Sequence, residues 1–139
     1  MFQAGEAYDL PKGSERILAV DENEVQVDII KQTLEKLGYE VSIRTSGQGA
    51  LNILQSQADA IDLVICSKAL LDFSAKTLVA KVHEMKADIP VILIAEYTSG
   101  ADLEKFENMG IKGTIKKPIV MKDLATLIRK ILDDVPEAN

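Results

Sequence analysis

The chain has 139 residues, 47% of them apolar, with 16 basic and 22 acidic side chains for a net charge of −6. That suits one domain with one core, and an acidic balance with no basic run longer than Lys116-Lys117 argues against broad nucleic-acid binding. No apolar run approaches the roughly 18 residues of a membrane span, the N-terminal residues lack the pattern of a secretory signal, and a single cysteine excludes an intrachain disulfide and fits a reducing, cytoplasmic setting.

Residues 1–14 mix Gly, Pro, Lys and Glu without a period and read as a linker or N-terminal extension, the cut edge of a longer protein. "RILAV" (16–20) is a short apolar run ending at acids, hence a buried strand. Val27, Ile30, Leu34 and Leu37 then share one helical face, and Gly38 stops that helix. "YEVSI" (39–43) alternates as a strand does, and Ser46 caps a helix carrying Leu51, Leu54 and Ala58. "IDLVIC" (61–66) is the third strand, followed by a helix capped by Ser74 with Leu78, Val82 and Met85 inward. "PVILIA" (90–95) is the fourth, with Pro90 at a position that costs no central ladder bond. "SGAD" (99–102) resembles a capping box and leads a helix bearing Leu103, Phe106 and Met109, closed by Gly110. "GTI" (113–115) is the core of a fifth strand, and a last helix carries Leu124, Leu127, Ile128 and Ile131.

Strands alternating with helices imply an α/β fold, a parallel sheet covered on both faces with right-handed crossovers. Working groups in such sheets gather beyond the carboxyl ends of the strands. Those ends carry Asp21-Glu22, Ser67, Ala95-Glu96 and Lys116-Lys117-Pro118. The acids suit Mg²⁺, which takes oxygen ligands, and the lysine suits a phosphoryl oxygen or a carboxylate. A solvated acid pair bridged by the lysine accounts for the same residues.

The stretches "GSERILAVDENEVQVDIIKQTLEKLGYEV", "DLVICSKALLDFSAKTLVAKV", "DIPVILIAEYTSG" and "GIKGTIKKPIVMKDLATLIRKIL" resemble, in order and spacing, a response-regulator receiver domain. The likeness is greatest to the C-terminal receiver of a bacterial hybrid sensor histidine kinase. It implies a flavodoxin-like, five-stranded parallel sheet in the order 2-1-3-4-5 between five helices, a receiver spanning 15–134, and a tail at 135–139. Residue by residue, Asp21 and Glu22 fall on the family's metal-binding acid pair and Ser67 on the phosphoacceptor aspartate. Ala95 falls on the switch hydroxyl, Thr114 on the switch aromatic, and Lys117-Pro118 on the family's Lys-Pro, which implies a cis peptide.

The departures form a pattern: acceptor, switch hydroxyl and switch aromatic are all missing, and Glu22 is one methylene longer than the usual Asp. Leu71 and Ala75 replace the Pro and Gly usual after the acceptor strand. A serine is a poor nucleophile without an adjacent base and adds no charge to a metal site. The expectation is therefore a non-phosphorylatable pseudo-receiver with no catalytic residue and a weak or absent Mg²⁺ site at Asp21 and Glu22. It would bind a sensor kinase or another receiver through helix 4, strand 5 and helix 5, near Phe106, Met109 and Ile111, with a homodimer as a further arrangement. The competing reading keeps phosphotransfer, on Asp72 or on Ser67. A flavin-binding enzyme ranks last, because "DENEV" after strand 1 is acidic and lacks a glycine-rich phosphate cradle.

Further expectations attach to single residues. Asp62 should lie at the opposite end of the sheet, and Cys66 should be core, pointing away from Ser67's side. His83 should be exposed, Glu96 should reach Lys117 in place of the missing aspartate, and Tyr97 either covers the pocket or faces a partner.

Overall fold

In a computed structural model of the chain, residues 10–68, 70, 72, 74–86, 88–96 and 99–134 are described, with Ala58 described by its backbone alone. The strands are β1 (Arg16–Val20), β2 (Glu40–Arg44), β3 (Leu63–Ser67), β4 (Val91–Ala95) and β5 (Ile111–Lys116). The helices are α1 (Glu24–Lys36), α2 (Gly47–Gln57), α3 (Ala75–Met85), α4 (Gly100–Asn108) and α5 (Met121–Asp133), with one 3₁₀ turn at Ala58–Ala60. All neighbouring strands pair in parallel, in the order β2-β1-β3-β4-β5. This is the flavodoxin-like arrangement expected from the sequence.

Every residue of β3 and β4 is buried, because helices cover both faces of the central strands. Their alternate side chains feed two cores. Leu18, Val20, Val64, Cys66, Val91 and Leu93 meet α2 and α3 on one face. Ile17, Ala19, Leu63, Ile65, Ile92 and Ile94 meet α1 and α5 on the other. Fully burying one such aliphatic side chain contributes about 1.5–3 kcal/mol.

The predicted helix limits follow local chemistry. Asn23 caps α1 by accepting from the Gln26 N–H, and Gly38 ends it at φ +105°, a conformation that favours glycine. Ser74 caps α3, and Ser99 with Asp102 forms the expected capping box on α4. β5 is longer than its predicted core, because a bulge opposite Val91 and Ile92 lets Ile111 and Lys112 join the strand.

Three helical expectations need correction. Met85 is exposed: the inward line of α3 is Ala75, Leu78, Val79 and Val82, and the chain is already extended at Lys86. Leu103 is exposed as well, since residues spaced by three drift around a helix, and only Phe106 and Met109 reach the core. His83 is half-buried instead of exposed: one ring nitrogen lies 3.1 Å from the Ile89 carbonyl, and the ring rests on Gly110.

Candidate functional site at the carboxyl ends of the strands

Val20 and Cys66 are the last register pair of β1 and β3, and Asp21 and Ser67 follow them at the same level. Asp21 is 1% exposed and Ser67 2% exposed; they are the only buried polar side chains among the described residues. The Asn23 N–H donates to Asp21 Oδ1 at 2.9 Å. Asp21 Oδ2 has no hydrogen-bond partner, and Lys117 Nζ lies 3.8 Å from it. Lys117 is carried there by the turn after β5, where its N–H donates to the Ala95 carbonyl and the Lys117-Pro118 peptide is cis, as expected. Among the described residues, the pocket thus brings together one buried carboxylate, one ammonium and one buried neutral hydroxyl.

The structure separates other residues that the sequence brought under suspicion. Glu96 is exposed and makes no ion pair with Lys117, contrary to expectation; the buried Asp21 needs the cation more than a solvated glutamate does. Asp72 lies on the same side of the sheet as the pocket, but its oxygens accept from the Gly47 and Gln48 N–H groups at 2.8 and 2.9 Å. It therefore closes the N-terminus of α2 together with Ser46, whose hydroxyl accepts from Gly49. Asp62 lies at the far end of the sheet, where it accepts from the Arg16 N–H. Cys66 points into the α2–α3 core; burial, with the Asp21 charge adding to it, pushes its thiol up to about 12. Ala95 is buried and Thr114 half-buried beside Leu93. Tyr97 and Leu71 lie outside the described residues.

Magnesium takes oxygen ligands in near-octahedral order, one or two of them carboxylates and several of them water. Here Asp21 Oδ2 is the one buried carboxylate oxygen not already hydrogen-bonded, Glu22 is exposed, and Ser67 adds a neutral hydroxyl. No group of three His, Cys, Asp or Glu side chains that could hold a metal ion is gathered among the described residues. With an ammonium facing the open oxygen and a neutral hydroxyl at the end of β3, the residues that would hold Mg²⁺ are reduced to Asp21 and its exposed neighbour Glu22.

Two features escaped the sequence reading. Lys68, next to Ser67, reaches α4, with Nζ 3.9 Å from Asp102 and 5.7 Å from the Phe106 ring centre. On α1, Val25 is 70% exposed and Ile29 49%, beside a groove of about 570 Å³ shared with Ile43 and Thr45 at the β2 edge. The i, i+4 spacing of Val25 and Ile29, opposite the buried stripe, was the available signal. The expected contact residues fare differently: Phe106 and Met109 are partly buried and Ile111 is core.

A doubly wound parallel sheet in the order 2-1-3-4-5, with an acid after β1 and a Lys–cis-Pro after β5, marks one class of signalling domain, from which Ser67 at the end of β3 departs. The model of the response regulator receiver domain matches residues 17–129. The chain belongs to that family, whose members are modules of two-component signalling and work through other signalling proteins. Response regulator SaeR of Staphylococcus epidermidis is 30% identical over 88% of the chain and 52% of its own length. Sensor kinase CckA of Brucella abortus is 26% identical over 91% of the chain and 13% of its own length. A CheY-like receiver from Methanospirillum hungatei superposes with a TM-score of 0.80 at 29% identity, covering 88% of this chain and 96% of that one. The chain thus spans about half the length of SaeR and a small part of the kinase. No helix among the described residues is long and apolar enough to cross a membrane.

Proposed function

We propose that this receiver is phosphorylation-silent, a pseudo-receiver that acts by protein–protein contact. One observation carries the reading: Asp21, the only buried carboxylate among the described residues, faces Lys117, and the residue at the end of β3 is the buried Ser67. In the family a carboxylate attacks phosphorus, and the charge that builds on the phosphoryl oxygens must be neutralised. Here no second buried carboxylate stands ready among the described residues, and Lys117 already faces Asp21. Ala95 has no hydroxyl and Thr114 no aromatic ring at the positions through which such a signal would spread. Asp72, as a substitute acceptor, would have to abandon two helix-capping hydrogen bonds.

The proposed setting is cytoplasmic, within or beside a sensor kinase, with Asp21, Glu22, Ser67, Ala95 and Lys117 forming a degenerate pocket. The proposed partner surface is the α4–β5–α5 face, where Leu103 is the exposed apolar residue of α4.

The test is exposure to Mg²⁺ with a small phosphodonor, read by intact mass, and with beryllofluoride, read by amide NMR. The native chain should gain no phosphoryl group and show no shifts near Ser67 and Lys117. A phosphoryl adduct on the native chain, formed as readily as on Ser67→Asp, would overturn the proposal, whether it is a hydroxylamine-labile acyl phosphate on Asp72 or a stable ester on Ser67.

A further inference from the structure

The segment ahead of β1 and the last turn of α5 meet at one guanidinium. Arg129 donates from Nη1 and Nη2 to the two oxygens of Glu15, at 2.7 and 2.6 Å. The same group donates to Asp133 from Nη2 at 2.8 Å and from Nε at 3.3 Å. Nη1 also reaches the Lys12 carbonyl at 3.4 Å and the Tyr39 hydroxyl at 3.3 Å. A planar fork suits this task, since one rigid cation can serve several oxygens at once.

The backbone of residues 12–15 fits closely into this notch. The Gly13 N–H donates to the Leu37 carbonyl at 3.1 Å. A side chain at Gly13 would collide with Arg129 and Tyr39, and one at Gly38 would collide with the Gly13 carbonyl. Leu10 adds a partly buried contact to the α1–α5 core. Residues 10–14, read from the sequence as the end of a linker, are thus laid against the fold.

The holding forces are unequal. α5 is seated by Leu124, Ala125 and Ile128, all fully buried. The strap has no fully buried side chain; it is held by Arg129, which keeps 17% of its surface open to water, by the Gly13 N–H on the Leu37 carbonyl, and by the Glu15 carbonyl, which accepts from the Glu40 N–H at 3.1 Å. Contacts of this kind open locally, below the free energy of global unfolding.

We propose that residues 10–15 form a releasable latch that couples the chain preceding the domain to the last turn of α5. A pull on the strap, or a partner that covers it, withdraws Glu15 from Arg129 and loosens residues 129–134. A partner that engages Arg129 or Asp133 loosens the strap in turn, because coupling between two sites is reciprocal. The latch gives α5 an input that needs no phosphoryl chemistry, and it stands whether or not the Ser67 pocket is silent.

Hydrogen exchange on the full chain tests it, using Glu15→Gln, Asp133→Asn and Arg129→Lys. Glu15→Gln should speed exchange about tenfold in 129–134 as well as in 10–15, the loss of roughly one charge-assisted hydrogen bond. Asp133→Asn should do the same in the reverse direction, and Arg129→Lys, which keeps the charge but loses the fork, should release both segments together. Amides of β3 and β4, which open only with the whole fold, should lose protection only by the factor that the fall in global stability sets, about fivefold for Glu15→Gln. Loosening confined to the mutated side would make these two independent contacts and overturn the latch. Loss of protection in β3 and β4 as large as in 129–134 would also overturn it, by making Arg129 a brace for the whole fold.

Discussion

Asp21 and Glu15 are both acids paired with a cation, yet burial makes them different. Asp21 sits 1% exposed with an ammonium 3.8 Å away, an arrangement that neutralises a buried charge without giving its Oδ2 a hydrogen bond. Glu15 is more open, and the forked hydrogen bonds from Arg129 lower its carboxyl from the usual 4.5 to about 2. A lowered folded-state value means stabilisation that is complete above the unfolded value and lost as pH falls through the folded one. Discounted for solvent screening, Glu15→Gln should reduce stability at pH 7 by about 1 kcal/mol. That gap to the native chain should close between about pH 4.5 and pH 2, as measured by urea unfolding at a series of pH values; a gap that persists at the acid end would refute the pairing as its cause. At this scale the sequence displayed Asp21, Ser67 and Lys117 at strand ends. It gave no hint of Glu15 with Arg129, which are 114 residues apart in the chain.

Among the elements, α2 shows how a candidate site residue turns out to be structural. Its first amides are met by Asp72, 25 and 24 residues downstream of Gly47 and Gln48. Asp72→Ala should cost about 1 kcal/mol, the usual worth of a lost N-cap, and should speed exchange at Gly47 and Gln48 in particular. If Asp72→Ala left stability unchanged, the capping role would be wrong and an acceptor role would reopen. The caps made by Ser74 and by Ser99 with Asp102 were legible because a cap and its amides are three residues apart. The capping partner of α2 was hidden because it arrives from another loop. The same distinction explains Met85 and Leu103: spacing shows which apolar residues share a helical face, but where that face stops meeting the sheet depends on how the helix is laid down.

For the molecule as a whole, two apolar cores share one five-stranded sheet, so neither can melt while the other keeps its floor. Leu78→Ala, on the α2–α3 side, should therefore lower stability by about 3 kcal/mol. The transition reported by buried Tyr39, on the opposite face, should move by the same denaturant step as the helical circular dichroism. Separate midpoints would mean the two faces unfold independently. The sequence by itself determined the strand–helix alternation, the parallel sheet and which residues stand at its carboxyl ends, because alternation, helical period and caps are local properties of the chain. The order 2-1-3-4-5 came from family likeness. Only the tertiary structure decided which charges meet there: Lys117 with Asp21 and not Glu96, Asp72 on α2, and Arg129 across Glu15 and Asp133. Most of these pairings join distant parts of the chain, and burial and geometry select among acids and bases that look alike in sequence.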